Sequence, residues 1–247
     1  MKSDGEKNQI DGGMNYSGIS ELVHAESGLK NYNKHIFNLF YRNFFSKSEK
    51  SAVVDFGAGI GSLSKIWKEE TGLSPICVEI DGTQLQILKE LGFKTFESVL
   101  DIEEPINFIF SSNVLEHIEN DTTVLQELYE KLSNGGRIGI YVPAFQLLFS
   151  EMDTAVGHFR RYSRQELERK MTDIGFKIET SQYVDSIGFL IPIVVKIFGW
   201  NNQTIGNQKM LGIYDRYIFP ISRMLDKVLF HKFLGKNLFI AASKLDQ

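Results

Sequence analysis

From residue 51 onward the chain repeats one pattern: a short apolar run, a break carrying glycine or proline, then an amphipathic stretch. Strands separated by helices cannot pair through tight hairpins. They cross over in parallel and bury both faces of the sheet under helices. The apolar runs predict strands at 52–56, 75–79, 94–96, 107–111, 137–142, 176–183 and 237–243. The intervening stretches predict helices at 63–70, 83–91, 121–132 and 164–172. Gly92, Asn134-Gly135-Gly136 and Ile174-Gly175 read as helix stops, and Pro143 as a strand stop. The expected fold is α/β: a doubly wound, mostly parallel sheet of seven strands.

Two regions fall outside that alternation. Residues 19–45 carry a helical stripe of Ile36, Phe37, Leu39, Phe40, Phe44 and Phe45. Residues 186–236 are helical, aromatic and too long for a connection, and read as an insertion before the last strand. The expected organisation is a disordered start at 1–15, a helical segment at 16–50 and a core at 51–185. A helical cap at 186–236 and a last strand with the C-terminus at 237–247 complete it. At 247 residues with 43% hydrophobic side chains, the chain is long enough for one large core plus a cap.

The net charge of −4 offers no global attraction for nucleic acid, and none is expected as a partner. A single cysteine, Cys77, excludes an internal disulfide and a cysteine-built zinc site, and no metal site is expected. The polar start, Met1 to Lys7, lacks the apolar segment of a secretion signal, so the expected location is the cytoplasm. The most apolar stretch, 187–195, stops at Lys196, short of the ~20 residues a membrane span requires.

The chemistry centres on Asp55-Phe56-Gly57-Ala58-Gly59-Ile60-Gly61 at the end of the first core strand. Glycines there let a cofactor approach the backbone where a Cβ would collide with it. A dinucleotide loop needs glycine at the first, third and sixth positions of its fingerprint, and here the sixth falls on Ser62. An acid, Glu79, ends the next strand about 20 residues on, where a carboxylate can accept hydrogen bonds from ribose hydroxyls.

Val53 to Gly61 resembles motif I of class I S-adenosylmethionine-dependent methyltransferases, and Cys77-Val78-Glu79-Ile80-Asp81 resembles their acidic second motif. Phe108 to Ile118 is similar to their fourth-strand motif, and Leu132 to Ile138 to the turn into strand five. The likeness runs in order through residues 30–183. It departs at Asn107, where the family usually has aspartate. The resemblance implies a Rossmann-like methyltransferase sheet with its last strand antiparallel, and S-adenosylmethionine as cofactor. It implies that Asp55, Gly57, Ala58 and Gly59 form the cofactor loop, with the glycine backbone against the methionine part. Glu79 would hold the ribose, Ile80 and Ser98 flank adenine, Asn113 and Val114 lie beneath the sulfonium, and Tyr32 stand close by.

Catalytic candidates follow from position. His117 leaves the fourth strand at the sheet's carboxyl edge. Asp153 to Ser163 leaves the fifth strand on that edge with His158, Arg160, Arg161 and Tyr162. An imidazole can take a proton from a substrate hydroxyl, and a guanidinium fork suits a phosphate or carboxylate. The alternative is that both arginines pair with Asp153 and Glu166 and only fix the loop. This run resembles a bacterial methyltransferase subfamily of polysaccharide and lipid-linked glycan pathways. That implies O-methylation of a small-molecule or lipid-linked acceptor of sugar type.

The insertion holds seven lysines and arginines against two acids, Asp215 and Asp226. Tyr214, Tyr217, Ile218, Ile221, Leu225 and Val228 share one helical face. One reading is a cap touching lipid at the inner membrane surface; the other is a cap or homodimer face with its apolar side buried. Two further functional classes stay open: an NAD(P)-dependent oxidoreductase on a related sheet, and a cofactor-binding protein without catalysis.

Overall fold

The computed structural model describes residues 28–44, 52–198, 208–228 and 230–245. The expected disordered start, the beginning of the 19–45 helix and Phe45 lie outside them. Seven strands form one sheet: β1 (Ala52–Phe56), β2 (Ile76–Val78), β3 (Lys94–Phe96), β4 (Ile106–Ser112), β5 (Leu132–Pro143), β6 (Phe176–Val184) and β7 (Asn237–Lys244). Their order is β3-β2-β1-β4-β5-β7-β6. Pairing is parallel from β3 through β5, and β7 runs antiparallel to both β5 and β6. The chain steps outward from β1 to β3, then returns to lay β4 on the other side of β1. The strand order thus reverses between β1 and β4, which opens a crevice at their carboxyl ends.

The expected elements are present, with one instructive shift. Leu132 already pairs with Ile106, and the register then breaks before Phe108 meets Arg137. Asn134-Gly135-Gly136 is therefore a kink inside β5 rather than the stop of the preceding helix. Gly135 takes φ 72°, and a Cβ on Gly136 would sit 2.7 Å from the Ser133 carbonyl.

Helices cover both faces. On one, α1 (Lys30–Phe44) and α2 (Ser62–Thr71) bury an aromatic layer. Trp67 is fully buried and stacks on Phe110 at 5.0 Å and Phe108 at 5.3 Å, with Phe37 and Phe40 beside it. Such ring pairs add about 0.5–1.5 kcal/mol each beyond the area they bury. On the other face, α4 (Asp121–Lys131) and α6 (Arg164–Ile174) set Leu125, Leu128, Leu167 and Met171 against Val54, Ile109 and Ile140. The short α3 (Gly82–Glu90) and α5 (Glu151–Ala155) follow β2 and β5.

The insertion comprises α7 (Ser186–Phe198), α8 (Gln208–Ile213), a π-turn (Tyr214–Ile218) and α9 (Phe219–Val228). Its burial reverses the amphipathic expectation in part, for of the expected face Tyr214, Ile218 and Leu225 are half-buried while Tyr217, Ile221 and Val228 are exposed. The inward stripe is Asp215, Phe219, Ser222 and Asp226, whereas Ile213, Tyr217, Ile221, Met224 and Val228 are exposed. The two acids face inward because each caps a helix. Asp215 accepts from the amides of Asn31 and Tyr32 at the start of α1, and Asp226 from those of Asp185 and Ser186 at the start of α7. No helix among the described residues is long and apolar enough to cross a membrane.

Asp55 sits in the middle of this frame, buried in β1, and accepts from Ser64 Oγ of α2 at 2.7 Å. Burial pushes its carboxyl up to about 7; the Ser64 hydrogen bond opposes that rise and the Glu79 charge adds to it. In the unfolded chain the group titrates near 3.8. Between those values only the folded state keeps the proton, so this group's contribution to stability is lost as pH rises from about 4 through about 7. The three-unit gap corresponds to about 4 kcal/mol at most. Asp55→Asn should therefore gain stability relative to the wild type between about pH 5 and about pH 8 in urea denaturation. An equal difference at both values would refute it.

Candidate active site

Four strand ends meet at the carboxyl edge of the sheet, and each leaves its strand in unusual backbone geometry. Gly57 and Gly59 follow β1 with φ of 74° and 57°. Asn113 follows β4, Phe145 follows β5 and Asp185 follows β6, all with left-handed φ: 54°, 62° and 68°. Non-glycine residues pay for that conformation, and its recurrence along one edge marks where the fold has been shaped for something other than stability.

The glycine loop is tied to the strand beside it. Gly57 and Ala58 both donate to the Val78 carbonyl, at 2.8 and 3.1 Å. Gly59 N donates to Glu79 Oε2 at 2.8 Å, while Glu79 Oε1 accepts from the amides of Ile80 at 2.8 Å and Asp81 at 3.0 Å. A carboxylate has about four acceptor sites, so one remains for an outside donor. Ile80, next to it, leaves its apolar side chain 84% exposed. A free carboxylate lone pair beside a bare aliphatic side chain fits a nucleoside: ribose hydroxyl on one, base on the other.

Glycine at 57 has a cause inside the protein. A Cβ there would lie 2.2 Å from Val114 Cγ2, so the loop and the residue after β4 close on each other. Asn113 N donates to the Tyr141 carbonyl at 2.8 Å, which holds this second wall against β5. Ser98 turns its oxygen onto the Leu100 amide at 3.1 Å as the cap of a short helical turn. Tyr32 is half-buried against the aromatic core. Its hydroxyl is 2.8 Å from that of Tyr141 and accepts from Asn237 Nδ2 at 2.7 Å, and its ring packs on Phe219. Burial raises its pKa well above the usual range.

The histidines converge. His117 and His158 meet edge to face, with ring centroids 4.6 Å apart. Asp153 Oδ1 accepts from His158 Nδ1 at 2.9 Å, which leaves Nε2 as the free lone pair of the neutral ring. His117 is pushed down to about 4, by partial removal from water first and by the His158 charge second, although water still reaches the residue and moderates this. Asp153 is the hub of the loop. It also accepts from Arg161 Nε and Nη2, at 2.9 and 3.1 Å, and from Ser150. Its burial opposes ionisation, but the bonds from His158 and Arg161 win and hold it far below the usual carboxylate range.

The remaining residues of the loop are committed internally, except that Arg161 Nη1 is buried without a hydrogen-bond partner. Arg160 reaches the Glu119 carbonyl at 2.7 Å and Asp121 at 3.1 Å. Tyr162 is fully buried and donates to Asp121 at 2.7 Å and to the Leu115 carbonyl at 3.0 Å. Arg161 thus pairs with Asp153 as the alternative reading had it, while Arg160 pairs with Asp121 and not Glu166. Ser163 caps α6 by accepting from Glu166 N.

Glu116, inside the fourth-strand motif, went unremarked in the sequence. It is fully buried, and neither carboxylate oxygen has a hydrogen-bond partner. Burial pushes its pKa up to about 8, with its own amide and Arg161 restraining the rise. Adjacency to His117 was the one available signal.

Comparison with known proteins agrees with this geometry. No curated protein sequence matches the chain. A methyltransferase from Archaeoglobus fulgidus described as SAM-dependent shares 17% identity over 91% of this chain and 99% of its own, with a TM-score of 0.58. Phosphoethanolamine N-methyltransferase 2 of Haemonchus contortus, in complex with phosphomonomethylethanolamine and S-adenosylhomocysteine, shares 16% over 92% of this chain and 59% of its own, with a TM-score of 0.59. A geranyl diphosphate methyltransferase in complex with that diphosphate and sinefungin shares 15% over 86% and 77%, with a TM-score of 0.59. Likenesses at this identity establish the fold, and none of the three is a nicotinamide-dependent oxidoreductase. Residues 29–181 match the family described as Methyltransferase domain, which is well over half of the sequence. The chain belongs to that family of S-adenosylmethionine-dependent methyltransferases.

Proposed function

We propose that the enzyme methylates an oxygen of a small or lipid-linked acceptor, of sugar type, presented to the His117–His158 pair. One observation carries this reading: the loop at Gly57 and the segment leading to His117 close on each other through Val114. A cofactor along the loop would place its methyl group within the same crevice as the histidines. In this arrangement the Gly57-Ala58-Gly59 backbone meets the methionine part. Glu79 takes a ribose hydroxyl on its remaining lone pair, Ile80 covers adenine, and Asn113 and Val114 lie beneath the sulfonium. Ser98 and Tyr32 act indirectly, by holding the turn and the core that carry these residues.

Methyl transfer is an in-line displacement. The acceptor oxygen attacks the methyl carbon, the carbon–sulfur bond breaks, and the sulfur keeps the electron pair as a neutral thioether. The protein's share is alignment, exclusion of water and a place for the hydroxyl proton. His158, fixed through Asp153, offers Nε2 for that proton. Arg160, Arg161 and Tyr162 hold the loop in place.

Glu79→Gln swaps an acceptor for a donor that faces three amides. Calorimetric titration with S-adenosylhomocysteine should show affinity reduced by about tenfold or more; unchanged affinity would remove Glu79 from the cofactor site. Supplied with methyl-tritiated S-adenosylmethionine and aqueous and organic fractions of a bacterial extract, the enzyme should yield a methyl ether. An N-methyl product would overturn the oxygen assignment. His158→Gln should slow that transfer by about 100-fold or more while S-adenosylhomocysteine binds as before.

The surface of the insertion favours a lipid-linked acceptor. Both of its acids are buried, so its exposed charge is positive: Lys209, Arg216, Lys227, Lys232 and Lys236. Beside them runs the apolar stripe of Ile213, Tyr217, Ile221, Met224 and Val228. An apolar stripe flanked by cations fits the surface of an anionic bilayer. The protein should sediment with vesicles containing phosphatidylglycerol, less so at high salt. Ile221→Glu combined with Met224→Glu should release it. Failure to sediment, or salt-independent self-association abolished by the same pair, would replace the bilayer with a second copy of the chain.

A further inference from the structure

Glu116 presents an unusual cost. Its carboxyl group is removed from water, and neither oxygen has a hydrogen-bond partner. A buried polar group left unpaired costs about 1–3 kcal/mol, and a charged one costs more. Such a group calls for an explanation in chemistry, stored strain, or a water or ion that completes it. Glu116, His117 and His158 each offer one ligand atom, and these atoms lie within 4.8 Å of one another.

We propose that Glu116, His117 and His158 bind a divalent first-row transition metal ion, Zn²⁺ or a close neighbour in the series. Two imidazoles and one carboxylate are a donor set for these ions, whereas Mg²⁺ and Ca²⁺ prefer oxygen alone. Metal–ligand bonds of about 2.0–2.2 Å bring ligand atoms roughly 3–4 Å apart, so the cluster needs only a modest closure. The second layer of contacts is already built. Asp153 accepts from His158 Nδ1 and turns Nε2 toward the cluster, the carboxylate–histidine arrangement that orients metal-bound imidazole. The Asp153 carboxylate is itself gripped by Arg161 and Ser150. His117 lies against Gly157, where an added Cβ would meet its Nδ1 at 3.9 Å. Glu116 is fixed by burial, and His117 keeps the solvent access through which an ion would enter.

Three protein ligands leave at least one coordination position for water or an acceptor oxygen. The inference rests on the proposed function only for what occupies that position. An ion there would activate the acceptor hydroxyl by coordination, in place of proton uptake by His158, and the proton would leave to solvent beside His117.

The test uses the full chain with any affinity tag removed, and Zn²⁺ or Co²⁺ alone as the probe. Equilibrium dialysis should give one Zn²⁺ per chain, undisplaced by millimolar Mg²⁺. Co²⁺ should give the visible absorption of a four- or five-coordinate site. Glu116→Gln, His117→Gln and His158→Gln should each weaken Zn²⁺ binding by about tenfold or more, with S-adenosylhomocysteine affinity showing that each variant is folded. Absence of stoichiometric binding, or variants that bind as tightly as the wild type, would overturn the metal site and leave the cofactor and acceptor readings standing. Loss of S-adenosylhomocysteine binding by the wild type would overturn those readings and leave the metal result intact.

Discussion

The site depends on one carboxylate that satisfies backbone at the end of two strands. Glu79 accepts from Gly59 after β1 and from Ile80 and Asp81 after β2. Turns that leave parallel strands toward a ligand lose their ladder partners, and their amides must find acceptors or stay bare. Here one side chain serves three of them, and the Val78 carbonyl serves the other two. The loop is therefore rigid before any cofactor arrives. A preordered loop loses little conformational freedom on binding, which is where much of the cost of association otherwise lies. The same carboxylate sits close enough to buried Asp55 to raise its pKa, so order at the edge is bought partly with electrostatic strain in β1.

The histidine side of the crevice is organised on the same principle with a different hub. Asp153 joins His158, Arg161 and Ser150, and Asp121 joins Arg160, Lys170 and Tyr162. Each acid is ionised within a ring of donors, so each holds several side chains at once. Glu116 lies among them and has no such ring. Two neighbouring acids are thus fully paired while neither oxygen of the third is hydrogen-bonded, a contrast that burial alone would not reveal.

Much of this was legible in the sequence because it is local. Strand and helix periods, the glycine stops and the pairing of a glycine loop with an acid some 20 residues on need no knowledge of distant contacts. The features that escaped were long-range. The early start of β5 depends on Leu132 finding Ile106, which no window around residue 132 contains. Arg160 finds Asp121 from nearly 40 positions away, where sequence proximity had suggested Glu166. Tyr32 carries no local sign that Tyr141 and Asn237 would hold its hydroxyl. Glu116 sits inside a recognised motif, but a missing partner is a property of the surrounding fold and has no sequence signature.

The insertion shows why the amphipathic rule can fail in direction while its periodicity holds. A helix buries whichever face gains more free energy against its neighbour, and the neighbour here is a set of bare helix starts. Asp215 and Asp226 each satisfy two amides that would otherwise lack acceptors at the beginnings of α1 and α7. Asp185 extends the contact by accepting from Ser222 and Tyr214. Turning the apolar stripe inward would strand those amides and place two carboxylates in water, away from the helix dipoles they now complement. The polar face goes in, and the apolar face is left for a surface outside the chain. The seam that docks the cap onto the core therefore also determines which side chains it shows to the outside.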